Sequence, residues 1–294
     1  MTWSVFKRHA GLLLVAALAL VVSVIWLQVH AAQPPNVLTV AVLDIGQGDA
    51  IFIESPTGKQ VLVDSGPDNS VLNALSQVMP ITDRSIDVLI ETHPDADHIG
   101  GYMSVLERYE VGMFLEPGIA KDSTTAKSLE AAIDEHGVAR YVARRGMVID
   151  LGGGAELDIL YPDHDVSRVN PNLANNGGIV MHLVYGETSM LLTADVDSSV
   201  EDTLLVLDAQ DPAIELDSDI LKVGHHGSKY SSEDVFLKAV SPAVALISVG
   251  AHNTYGHPTK EALGRLQAEG VEVHRTDQEG TIIYVSNGQE FVRK

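Results

Sequence analysis

His93-Pro94-Asp95-Ala96-Asp97-His98 places four groups that can donate lone pairs to a metal within six residues. The stretch closely follows Ile86-Asp87-Val88-Leu89-Ile90, a short apolar run that reads as a buried strand. Gly100-Gly101 then opens a helical segment. A loop held by a rigid strand end is a place where metal ligands can be fixed. The spacing allows two clusters, His93 with Asp95 on one side and Asp97 with His98 on the other. Imidazole with carboxylate suits zinc, manganese or iron rather than a thiolate-type centre. The competing reading is a solvated acidic loop with two chance histidines. It is weakened by further ligand-type residues at strand ends downstream.

Val61-Leu62-Val63-Asp64 ends a strand in a carboxylate. Asp64 either accepts a hydrogen bond that orients the histidine loop or caps the helix that follows. Leu191-Leu192-Thr193-Ala194-Asp195 repeats the pattern, and the two oxygens of Asp195 can bridge two cations. Leu221-Lys222-Val223-Gly224-His225-His226-Gly227-Ser228 ends in adjacent histidines. Strand alternation turns neighbours to opposite sides, so one of His225 and His226 is expected to ligate and the other to contact substrate. Tyr255-Gly256-His257-Pro258 sets an imidazole before a helix start, suited to an anionic oxygen or to general acid work. Each motif alone is more often structural, but together they form a joint signal.

The strand and helix pattern runs the length of the chain. Strands are expected at 37–43, 50–54, 60–64 and 111–115, with helices at 70–78, 101–109 and 124–136. After the Gly152-Gly153-Gly154 turn, strands follow at 156–160, 179–185, 189–193, 219–223, 243–249, 271–275 and 281–285. A capping box, Ser198 to Glu201, announces one helix. Others are expected at 231–240 and from Pro258 to Glu269. Two sheets with helices outside would bury both halves in an α/β four-layer αββα sandwich, one domain over 37–294.

The chain has 294 residues and is 45% apolar, enough for a substantial core. Its net charge of −21 argues against a broad basic surface for non-specific nucleic-acid binding. A carboxylate-rich cleft neutralised by metal still admits nucleic acid as substrate. With no cysteine, disulfides, thiolate zinc sites and a cysteine nucleophile are all excluded. Residues 1–31 are a separate object. Lys7 and Arg8 precede an uncharged run from Gly11 to Leu27. It reads as a signal peptide cleaved after Val29-His30-Ala31, or as a single membrane anchor. Either places the remainder outside the cytoplasm, after a spacer at 32–36.

Taken together, Asp64, the His93–His98 loop, Asp195 and His225-His226 resemble the metallo-β-lactamase superfamily. The similarity is closer still to the soluble domain of the ComEC DNA-uptake proteins. Leu43 to Ala50, Thr92 to Gly101, Asn175-Asn176, Leu192 to Asp195, Leu221 to Ser228 and Gly256 to Pro258 carry that likeness over about 37–290. The resemblance implies a dinuclear zinc or manganese hydrolase. It assigns His93 and Asp95 to one metal, Asp97 and His98 to the other, and Asp195 to the bridge. It favours His226 over His225 as the ligand completing the second site. Asn175, Asn176 and His257 would face substrate. Asp95 stands where most of the superfamily has histidine, although the ComEC-like branch shares the Asp, and the histidine that usually completes the first site has no match. The single apolar segment cannot form the multi-helix channel of full ComEC proteins.

The expected chemistry is metal-assisted hydrolysis, with a metal pair lowering the pKa of a water toward ~7. Asp97 would orient that water, and His257 would support the charge or the leaving group. The resemblance implies a phosphodiester substrate, extracellular DNA included. Two alternatives stand beside it: an esterase of envelope material, phosphocholine esters included, and a metal-bearing binding protein without turnover.

Overall fold

The computed structural model describes residues 16–23 and 36–294. Contacts divide the chain into two units, 1–35 and 36–294. In the first, residues 16–23 form an exposed helix, α1. The cleavage motif and most of the apolar run lie outside the described residues. Among those described, no helix is long and apolar enough to cross a membrane.

The second unit opens with β1 (Leu38–Val42), β2 (Ile51–Glu54) and β3 (Gln60–Val63), an antiparallel meander. It continues through α2 (Ser70–Val78) to β4 (Ser85–Ile90), parallel to β3. Two short helices follow, α3 (Ala96–Ile99) and α4 (Tyr102–Arg108). Then come β5 (Glu110–Glu116), α5 (Thr124–His136) and β6 (Ala139–Val142), with the strands again parallel. Ser123 caps α5 through Ala126 N, and Gly137 at φ 67° ends it, a backbone angle glycine adopts without strain.

A second sheet begins with β7 (Val148–Gly152), β8 (Ala155–Tyr161), β9 (Val180–Tyr185) and β10 (Thr188–Leu192), all antiparallel. After α6 (Ser198–Gln210), β11 (Ile220–Lys222) runs parallel to β10. It is followed by α7 (Asp234–Val240), β12 (Val244–Ile247), α8 (Lys260–Ala268) and β13 (Glu272–Arg275). After a short α9 (Thr276–Glu279), β14 (Ile282–Ser286) and β15 (Phe291–Arg293) return to the first sheet, where β14 pairs with β1. The sheets thus hold eight and seven strands.

Alternation explains the layers. Val40, Val42, Ile51, Ile53, Val61 and Val63 point inward and meet Leu157, Ile159, Met181, Leu183, Met190 and Leu192 of the other sheet. The opposite face of the first sheet, with Phe52, Leu62, Leu89 and Phe114, is covered by Leu75 of α2, Tyr102 of α4 and Leu129 of α5. Leu191, Leu221, Ala245 and Ile247 are covered by Leu204 of α6, Phe236 of α7 and Leu266 of α8. The result is the expected four-layer sandwich. Each fully buried branched side chain contributes ~1.5–3 kcal/mol.

Three helix starts differ from expectation, those of α6, α7 and α8; α7 begins at Asp234 behind Glu233 rather than at residue 231. The cap of α6 is Asp197, which accepts Ser199 N, and Ser198 lies inside the helix. Glu201 does not close a capping box; it reaches α7's entry and accepts the Ser232 and Glu233 amides. Helix α8 starts at Lys260 behind the Thr259 cap, because Thr259's hydroxyl takes Ala262 N; Pro258 precedes it. β6, β7 and β15 were not anticipated. All four residues of β6 are exposed on a sheet edge, so it shows no inside-outside alternation.

Candidate metal centre

The centre gathers at the carboxyl ends of parallel strands, where chains leave a sheet and loops can converge. Asp64 follows β3, His93 follows β4, Asp195 follows β10 and His225-His226 follow β11. Asp64 is fully buried, with φ 57°. Its Oδ1 accepts Thr92 N at 2.8 Å. Its Oδ2 accepts the Thr92 hydroxyl at 2.7 Å and His98 Nδ1 at 2.7 Å. Of the two roles open to Asp64, the structure shows the orienting one; α2 is preceded by Asn69 instead.

This bonding sets the histidine tautomers. Thr92's hydroxyl proton points to Asp64, so in its 2.9 Å contact with His93 Nδ1 the ring donates. His98 Nδ1 donates to Asp64, and His226 Nδ1 donates to the Ser248 carbonyl at 2.9 Å. In each ring Nε2 is left to face the centre. The Nε2 atoms of His93, His98 and His226 and Oδ1 of Asp195 are buried without a hydrogen bond. His93, His98 and Asp195 bring donor atoms within 4.8 Å of one another, as do Asp97, His98 and His226. Orphaned imidazole nitrogens beside carboxylates are what a divalent cation requires, so this donor set fits a metal pair.

The charges agree. Burial opposes a proton on His226, but Asp195 and Asp49 outweigh it and raise its pKa to about 9. Burial likewise opposes charge on His98, while Asp195 and Asp64 push it well above the usual imidazole range. His93 is lowered to about 3 by burial and by its neighbour His98. Asp195 is held well below the carboxylate range by His226 and His98 despite burial. His98 and His226 would give up these protons on holding a divalent cation.

The structure treats the other expected residues unequally. Asp95, part-buried, pairs with Lys121 Nζ at 2.5 Å and is not among the converging donor groups of the described residues. His225 and His226 both have left-handed backbones, φ 48° and 53°, so they form a turn rather than a strand. Strand alternation therefore does not apply. Their Nε2 atoms lie 3.9 and 3.4 Å from the same Asp195 oxygen. His226 is buried in the cluster and His225 lines its rim, edge-on to His257 with ring centroids 5.5 Å apart. His257 is half-buried, and its Nδ1 has no partner. Asn253 clamps its backbone through 3.1 and 2.8 Å bonds. Asn176 gives its side-chain amide to Asp197 at 2.9 Å, and Asn175 is partly exposed in the loop preceding β9.

Sequence reasoning passed over Asp49, Lys222 and Lys121. Asp49 is buried near the Nδ1 side of His226, 3.4 Å away, and pairs with buried Lys222 at 2.8 Å. A lysine between Leu221 and Val223 in an apolar strand was the available signal.

A family model described as the metallo-beta-lactamase superfamily matches residues 43–252. The chain is 33% identical over 263 residues to ComE operon protein 3 of Bacillus subtilis (strain 168), covering 83% of this chain and 32% of that protein. It is 31% identical over 257 residues to competence protein ComA of Neisseria gonorrhoeae, covering 85% of this chain and 33% of that protein. It thus spans about a third of the length of these relatives. Among solved structures, CmlA, a diiron β-hydroxylase from Streptomyces venezuelae, shares the fold at a TM-score of 0.53 and 16% identity. That match covers 87% of this chain and 54% of CmlA.

Proposed function

Because the chain belongs to the metallo-β-lactamase superfamily, we propose that this metal-dependent hydrolase holds two zinc or manganese ions and cleaves phosphodiester bonds. The observation that carries the reading is the convergence of three buried, tautomer-locked Nε2 atoms with the Asp97 and Asp195 carboxylates. His93, His98, Asp97, Asp195 and His226 would hold the metals. Bound there, divalent cations supply Lewis acidity and a nucleophilic water at neutral pH.

The protein's own groups do the rest. Asp97 is the accessible carboxylate, with a third of its side chain exposed, and can orient a water and accept its proton. Burial and the neighbouring His225 and His226 keep His257 below the usual imidazole range. It is therefore neutral at pH 7 and donates an N–H to the leaving oxygen rather than a full charge. The competence-named relatives support nucleic acid, extracellular DNA included, as the phosphodiester. Lys7 and Arg8 before the apolar run support a domain outside the cytoplasm, held by the membrane if the run is retained.

Metal content and cleavage of a chromogenic phosphodiester, measured on one preparation, test this reading. Two equivalents of metal with EDTA-sensitive turnover are expected. A second reading, binding without turnover, is favoured by one observation, the pairing of Asp95 with Lys121. Metal uptake with no turnover on any ester would establish it instead.

A further inference from the structure

We propose that Lys222 and Asp49 act as a positioning pair for His226, aiming its Nε2 at the metal centre. This rests on the metal-dependent reading above. Lys222 is fully buried in β11, between Leu221 and Val223. Its Nζ meets Asp49 Oδ2 at 2.8 Å and donates to the Val223 carbonyl at 3.0 Å. Burying an ammonium and a carboxylate costs several kcal/mol each before pairing, and a pair of apolar residues is often as stable. Stability alone therefore does not account for a lysine here.

Geometry does. Asp49 belongs to the loop between β1 and β2, in the other sheet. Gly48 lets this loop press on the ligand loop, since a Cβ there would sit 1.9 Å from the Asp97 carbonyl oxygen. Ser248 Oγ donates to the Gly48 carbonyl at 2.7 Å, and the Ser248 carbonyl is the acceptor of His226 Nδ1. Asp49 Oδ1 lies 3.4 Å from that same Nδ1. The ring is thus flanked by two acceptors on its Nδ1 edge, which turns Nε2 toward Asp195 at 3.4 Å and Asp97 at 3.9 Å. Asp49 also lies within ligand reach of Asp195 and His226. Lys222 commits it to the supporting role by holding its other oxygen.

Removing either charge alone strands the other in the interior, so the test pairs Asp49→Asn with the double change Lys222→Met/Asp49→Asn. Cobalt(II) is titrated into the 294-residue chain against a chelator, its absorption spectrum is recorded, and the melting of the metal-free protein is followed. The expected result is cobalt affinity about ten- to a hundredfold weaker in both variants, with an altered spectrum, even where melting matches the parent. Parent-like affinity and spectrum in whichever variant folds would overturn the positioning role while leaving the hydrolase reading intact. Failure of the parent itself to bind cobalt would overturn both.

Discussion

At the scale of single residues, Asp64 fixes which ring nitrogen of His98 is left for the centre, by taking Nδ1. One carboxylate satisfies Thr92 twice and His98 once. Asp64→Ala leaves three buried donors without an acceptor, and is expected to cost ~3–5 kcal/mol in denaturant unfolding of the metal-free protein. Asp97 behaves oppositely. Its partly exposed side chain supports little of the fold, so Asp97→Ala should keep the melting temperature and lower phosphodiester turnover by at least ~10²-fold. Retained turnover would remove Asp97 from the site. Lys121 is a competitor for Asp95. Lys121→Ala is expected to strengthen binding of the weaker metal equivalent, read by chelator competition, because the Asp95 carboxylate then has no competing cation.

At the scale of elements, loops between strands and helices carry the centre, and side chains from one element cap another. Glu201 of α6 accepts the Ser232 and Glu233 amides at the start of α7, while burial pushes its carboxyl up to about 7. Glu201→Ala should cost ~2–3 kcal/mol, measured by chemical denaturation. That link was hidden in the sequence, where Ser198 to Glu201 matched a local capping box. The long-range partner took the carboxylate because Asp197 already satisfies the start of α6. The turn at His225-His226 was harder to read, since Gly224 and Gly227 flank it but its first two left-handed residues are histidines. Helix α5, by contrast, was legible at both ends, because Ser123 and Gly137 act locally.

For the whole molecule, the metal centre doubles as a charge cluster joining the two sheets, and stability should register it. His226, raised to about 9, and His98, raised well up, stabilise the metal-free fold fully below the unfolded imidazole value of ~6.5. That contribution is lost as pH rises through about 9. The depressed value of His93 acts only below ~6.5, outside this window. Glu91, pushed well up by burial, and Glu201, raised to about 7, act with the same sign as the two raised histidines. The melting temperature of metal-free protein is therefore expected to fall from pH 6.5 to 9.5, and zinc or manganese should flatten that fall. An unchanged slope with metal bound would separate the histidines from the ions. Truncation after Gly280 removes β14, uncovers β1 and takes Ile282 and Tyr284 from the central core; no cooperative unfolding transition is expected for it.

The sequence by itself determined the two-sheet sandwich, most strand positions and the donor types with their order along the chain. Those depend on local alternation, on helix punctuation at residues such as Gly137, and on motifs only a few residues long. Tertiary structure decided which donors converge. Asp95 sits between two residues of a ligand loop yet pairs with Lys121, and Asp49 enters from the other sheet with Lys222 beneath it. A side chain's role at a buried centre depends on the partners that hold its other atoms, and here those partners lie 26 residues from Asp95 along the chain or in the opposite sheet.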